Sequence, residues 1–148
     1  MKDHSFTTVA LREIKSAGYR ITAARRAVID ALAHAKKPLS AHQLHNQLQK
    51  NADTTDIVSV YRVLEVLAQL ELVHNDIDSN GYFACTHCAD CPSDIHIFVK
   101  CIECLAVEEL DFHEEVFSEA FKKRLKKMKS KPLSEKIYLQ DICESCRA

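Results

Sequence analysis

The stretch from Ile57 to Thr86, IVSVYRVLEVLAQLELVHNDIDSNGYFACT, decides the fold, because its hydrophobic period changes partway along. Ile57, Val60, Leu64 and Leu67, with Leu70 close by, recur at helical spacing and define one buried face. From Leu72 to Ile77, and again from Tyr82 to Thr86, the pattern alternates as it does in half-buried strands. Asn80-Gly81 between the two runs signals a two-residue hairpin turn, both residues of which take positive φ. Under that turn Ser79 opposes Tyr82, Asp76 opposes Cys85 and His74 opposes His87. His74, Cys85 and His87 then share one face, while Val73, Ile77, Tyr82 and Ala84 share the core-facing one.

Three further helices are expected upstream. Ala10, Ile14 and Ala17 mark one over residues 7–17, broken by Gly18. Thr22 is placed to N-cap a second, with Ala24, Val28, Ala31 and Leu32 inward. Ser40 and Gln43 have capping-box spacing ahead of a third, whose inner face is Ala41, Leu44 and Leu48. Short helices followed by a hairpin are the plan of a winged helix-turn-helix, expected over residues 1–88. After a Cys-rich stretch, with a hinge at 89–94, strands are expected at 95–100, 105–110 and 136–142. A helix over 112–128 carries Val116, Phe117, Ala120, Phe121 and Met128 on its apolar side. The fold class is α+β, with a second domain of a small sheet packed with one helix over residues 95–148.

Composition permits this plan and narrows the chemistry. The chain has 148 residues, 47% hydrophobic and 28% charged, with a formal net charge of -1, so any nucleic-acid binding must come from a local patch. No run approaches the roughly 18 apolar residues of a membrane span, and no apolar segment follows Met1–His4 as in a signal peptide. A cytoplasmic protein without a membrane partner is expected. All seven cysteines lie after residue 84, and an odd number in a reducing compartment suits metal binding better than disulfides.

Cys101-Ile-Glu-Cys104 and Cys143-Glu-Ser-Cys146 form two CxxC pairs. Two intervening residues let both sulfurs of a pair reach one ion, and two pairs fill a tetrahedral Zn²⁺ shell. Such a shell has no open position, so the site is structural. The bland alternative is four core cysteines or a thioredoxin-like pair. A second cluster contains Cys85, His87, Cys88, Cys91 and His96, with His74 upstream and Glu109 downstream. Mixed imidazole, thiolate and carboxylate donors suit Zn²⁺, while thiolate disfavours Mn²⁺ or Mg²⁺. Some of these side chains would be ordinary surface histidines and spare thiols. His4, His34, His42, His45 and His113 are read as exposed or core-edge.

Gly18-Tyr-Arg-Ile-Thr22-Ala-Ala-Arg25, Ser40-Ala41, Val60-Tyr-Arg-Val-Leu64 and the two CxxC pairs, in this order, resemble regulators of the ferric uptake regulator family. The resemblance runs from about residue 7 to 146. It implies a DNA-binding winged helix, a C-terminal α/β dimerisation domain, a homodimer, and structural zinc at Cys101, Cys104, Cys143 and Cys146. In the zinc-sensing branch a His on the first wing strand and a Cys eleven residues later are ligands, here His74 and Cys85. Glu109 and His96 complete that set. Cys88 and Cys91 fit neither pattern, and with His87 they stand as extra ligand candidates. The histidine that iron regulators place before the third helix falls on Pro38, which with Cys85 favours zinc over iron or peroxide sensing.

On the fourth helix Ser59 and Arg62 lie away from the apolar stripe, with Tyr61 beside them, and are the expected base-region contacts. The resemblance adds Arg20, and Arg25 and Arg26 are read as phosphate contacts. The run Lys122–Lys131 follows acids on one helix, complements its dipole and is read as solvated. A zinc deaminase would need a Pro-Cys-x-x-Cys motif, and Cys91-Pro92 reverses its order, so no enzyme is expected. The expected function is zinc-dependent repression of zinc-uptake genes through palindromic duplex operators, with two zinc ions per chain. The alternative is an iron- or peroxide-responsive sibling.

Overall fold

The computed structural model describes residues 5–76, 78–86, 95–110, 115–130 and 136–148. The expected hinge, Ile77, Phe112, His4, His113 and the candidate ligands His87, Cys88 and Cys91 lie outside the described residues. The chain divides into two compact units, Met1–Ala89 and Asp90–Ala148. Among the described residues no helix is long and apolar enough to cross a membrane.

The first unit contains helices α1 (Phe6–Ser16), α2 (Ala23–His34), α3 (Ala41–Lys50) and α4 (Ile57–Gln69), then strands β1 (Val73–Asp76) and β2 (Gly81–Ala84). Each helix starts where an extended residue offers an oxygen to an otherwise unpaired N–H of the first turn. Thr22 accepts from Arg25 N at 3.2 Å and Asp56 from Ser59 N at 2.9 Å. Ser40 and Gln43 form the full capping box, at 3.2 and 2.8 Å. The helices' apolar faces converge: Ile14, Val28, Ile29, Leu32, Leu44, Val60, Leu64 and Leu67 are all essentially inaccessible. Each such side chain contributes about 1.5–3 kcal/mol of transfer free energy. Leu72 and Val73 join this core, with Tyr82 packed against it, so the hairpin lies on the helices as expected.

The hairpin register differs from the expected one. Val73 pairs with Ala84, His74 with Phe83, Asn75 with Tyr82 and Asp76 with Gly81. The loop is therefore four residues long, and the pairings Asp76–Cys85 and His74–His87 do not occur. Two local forces override the Asn-Gly signal. The Asp76 carboxylate, buried at 1% exposure, accepts from Ser79 N at 3.2 Å and from Ser79 Oγ at 2.5 Å, winding the chain into the turn early. Tyr82 is also tied to Leu39 by reciprocal backbone bonds of 2.8 and 3.0 Å, and this fixes where β2 begins. Of the Asn80-Gly81 pair, only Asn80 takes positive φ, at 51°. Gly81 is required for a different reason: a Cβ there would sit 2.7 Å from Pro38 Cβ. Each partner moves by an even number of residues, so the faces are unchanged. His74 and Cys85 still share one.

In the second unit, β3 (His96–Cys101) lies between β4 (Val107–Leu110), antiparallel, and β5 (Lys136–Asp141), parallel. Helix α5 (Glu115–Lys127) separates β4 from β5 in sequence, and a single turn, α6 (Glu144–Arg147), follows β5. Burial concentrates on the central strand: Ile97, Phe98, Lys100 and Cys101, with Ile95 just before it. Helix α5 has no buried residue. Its expected apolar side is open, with Val116 at 78% and Met128 at 74% exposure. The expected small sheet and helix are both present, but among the described residues the sheet does not fully bury any residue of α5.

Candidate metal centres and nucleic-acid interface

The first CxxC pair follows from the hairpin between β3 and β4. Cys101 closes β3, its N–H donating to Ala106 O at 2.9 Å, while Leu105 N–H donates to Cys101 O at 3.1 Å. The second pair follows β5, in register with the first because Cys101 pairs with Asp141. The four sulfurs all lie within 4.8 Å of one another. The Cys104–Cys143 separation is 3.8 Å, far longer than the ~2.05 Å of a disulfide. It matches the edge of about 3.8 Å expected of a tetrahedron with metal–sulfur bonds of ~2.3 Å. Electrostatics point the same way. Backbone N–H groups of Cys104, then Cys143, favour the Cys101 thiolate and lower its pKa to about 6. The neighbouring Cys143 and Cys104 thiols push Cys146 up to about 12. Crowded sulfurs that cannot all ionise together are relieved by a dication, so the donors fit a tetrahedral metal ion.

The other expected ligands form two pairs, one in each unit. In the first unit His74 and Cys85, 3% and 1% exposed, present a ring nitrogen and a sulfur within 4.8 Å. Cys85 N–H donates to Leu72 O at 2.9 Å, continuing the hairpin ladder and placing the thiol diagonally across from His74. In the second unit, His96 Nδ1 lies 2.5 Å from Glu109 Oε1 on the adjacent strand. The Glu109 side chain is only 3% exposed. The His96 ring stacks over Phe98, with centroids 6.1 Å apart, and Phe98 packs on Tyr138 at 5.1 Å. This aromatic ladder fixes the imidazole's plane.

On α4 the exposed face carries Val58, Tyr61 and Arg62. The Ser59 hydroxyl donates to Asp56 Oδ2 at 2.8 Å, completing the cap. Arg20 is exposed. Arg25 is half-buried, its guanidinium 5.4 Å above the Tyr19 ring and bonded to Arg20 O, so it straps the α1–α2 connection. Arg26 is exposed. His42, on α3, meets Tyr61 edge-on at 6.1 Å. Sequence reasoning missed that neighbour, since nothing in the spacing brings α3 onto the exposed face of α4. It also missed α6 and the Asp141–Arg147 ion pair at 2.6 Å, because four residues are too few to show a period.

Fold and donor clusters together define a winged helix-turn-helix protein with a separate metal-binding unit. The chain belongs to the ferric uptake regulator family, whose sequence profile matches residues 16–140. It is 23% identical over 136 residues to the ferric uptake regulation protein of Bacillus subtilis (strain 168), covering 91% of this chain and 90% of that one. It is 28% identical over 110 residues to the zinc uptake regulation protein of Mycobacterium tuberculosis (strain ATCC 25618 / H37Rv), covering 68% and 85% respectively. A solved zinc uptake regulator complexed with zinc and DNA has the same fold, with a TM-score of 0.79 at 22% identity over 99% of this chain and 96% of that one.

Proposed function

We propose that this chain is a zinc-responsive transcriptional repressor that acts as a homodimer on palindromic duplex DNA near zinc-uptake genes. It carries two zinc ions with separate tasks. Cys101, Cys104, Cys143 and Cys146 hold one permanently. His74 and Cys85 from the first unit, with His96 and Glu109 from the second, hold the one that is sensed. The observation that carries this reading is the composition of the two half-sites: imidazole with thiolate, and imidazole with carboxylate, all sparingly exposed. That donor set suits Zn²⁺ in preference to Mn²⁺ or Mg²⁺. The relatives named for zinc uptake regulation, one of them seen with zinc and DNA, support it.

Zinc, when bound, supplies a dication that favours one arrangement of the two units over others. The chain's own residues do the rest. The hairpin holds His74 and Cys85 at fixed spacing, and the Phe98 ladder aims His96. Tyr61 and Arg62 on α4 face the major groove, where arginine reads guanine and the phenol ring meets a thymine methyl. Arg20 contacts the backbone or minor groove. The open apolar side of α5, with Leu110 and Leu139, also exposed, is the surface a second copy would cover.

Cys85→Ser should abolish zinc-dependent operator binding in a gel shift, while the protein remains a folded dimer with one zinc per chain in place of two. An unchanged zinc response would remove Cys85 from the mechanism. The iron reading is favoured by the name of the Bacillus subtilis relative. It predicts that Fe²⁺ activates binding at lower free concentration than Zn²⁺ does.

A further inference from the structure

The two knuckles of the four-thiol cluster are secured in different ways. The Cys101–Cys104 knuckle lies inside the β3–β4 hairpin, and backbone bonds close it on both sides: Cys101 N–H to Ala106 O and Leu105 N–H to Cys101 O. Leu105 takes positive φ, 63°, to make that turn. The Cys143–Cys146 knuckle has the bonds of one helical turn, Cys146 N–H and Arg147 N–H to Cys143 O at 2.9 and 3.0 Å, and one long bond to the first knuckle, Cys143 N–H to Cys101 Sγ at 3.4 Å. Cys143 also lacks a side-chain capping bond. A lone turn does not persist in water, because nucleation fixes several residues for one hydrogen bond. One side-chain tie spans it. Asp141 Oδ1 accepts from Arg147 Nη2 at 2.6 Å and from Ile142 N at 2.8 Å. Asp141 O meanwhile accepts from Ile102 N of the first knuckle at 2.9 Å.

We infer that Asp141 and Arg147 form a latch that holds the second knuckle against the first, and that metal leaves the four-thiol site by opening at Cys143 and Cys146. Asp141 and Arg147 are positioning residues, since neither supplies a donor to the ion. The pair is 49% and 63% exposed, so it adds little to equilibrium stability. Its effect is on how often the turn opens. This inference rests on the zinc reading of Cys101, Cys104, Cys143 and Cys146 proposed above.

The test uses the zinc-loaded full chain. Zinc per chain is first measured in wild type; a protein without tightly held zinc would remove the metal reading itself, independently of the latch. With zinc present, release into excess chromogenic chelator should be roughly two- to fivefold faster in Arg147→Ala, given the modest strength of exposed pairs. Arg147→Lys should restore most of the wild-type rate, which a purely steric role for the arginine would not allow. Raising salt should accelerate release in wild type and leave Arg147→Ala unaffected. In parallel, alkylation during release, read by peptide mass spectrometry, should mark Cys143 and Cys146 before Cys101 and Cys104. A release rate unchanged in Arg147→Ala, or earlier labelling of Cys101 and Cys104, overturns the inference.

Discussion

The two units solve the problem of staying folded by different means. The first buries a continuous apolar cluster, from Ala10 in α1 to Val73 in β1, and among the described residues contributes no residue to a candidate metal cluster before its hairpin. Among the described residues the second buries little beyond one strand and no residue of α5 fully, yet it gathers four thiols within 4.8 Å. Below about 70–80 residues a single core supplies only a few kcal/mol, and small domains commonly add a metal or an oligomeric contact. One unit is therefore expected to be self-sufficient, and the other to depend on what it binds. Under the function proposed above, that division would let the second unit respond to metal while the first stays intact.

The largest effect expected from this contrast is the loss of the second unit without metal. A structural four-thiol zinc contributes apparent folding free energy of roughly 10–16 kcal/mol. Cys101→Ser, or exhaustive chelation under reducing conditions, should abolish amide protection across β3, β4 and β5 while protection in α2 and α4 persists. Retained protection in the sheet would show that the second unit has a core of its own and end the contrast. The converse break is Leu64→Ala. Leu64 is 1% exposed at the centre of the helical cluster, and its truncation should cost about 2–5 kcal/mol. The unfolding transition of the first unit should shift accordingly, with the zinc held by the four thiols unchanged.

How much of this was legible in the sequence followed the same division. The helices were readable because period and caps agreed: Thr22, Ser40 with Gln43, and the Ile57–Leu67 stripe each specify a start and a face. The CxxC pairs were readable because two-residue spacing has one strong chemical use. The hairpin register was not, since Asn80-Gly81 competed with a side-chain bond from Asp76 to Ser79 and a tether from Leu39 to Tyr82. Both are tertiary or side-chain events invisible to alternation. The shared face of His74 and Cys85 survived that error only because the displacement was even. Helix α5 was readable as a helix but not as an uncovered one, because an apolar stripe does not say which molecule will cover it.

The smallest expected effect separates backbone strain from packing within the self-sufficient unit. Helices α1, α3 and α4 all end with a residue in the left-handed region, but only α1 uses glycine: Gly18 at φ 83°, against Ala52 at 58° and Glu71 at 56°. Glu71 closes α4 by donating to Ala68 O at 3.0 Å, followed by Leu72 N–H to Leu67 O at 2.9 Å. A side chain in that conformation costs about 1–2 kcal/mol, while glycine's greater freedom in the unfolded chain offsets roughly 0.4–1 kcal/mol of the relief. Glu71→Gly should therefore stabilise the first unit by roughly 0.5 kcal/mol, or about 2–4 °C in Tm. Gly18→Ala provides the opposite arm. A Cβ at Gly18 would meet nothing within 4 Å, so any loss there is backbone strain alone. The two substitutions should move Tm in opposite directions, with zinc content unchanged in both. If both lower it, the closure of α4 depends on the glutamate side chain rather than on its φ.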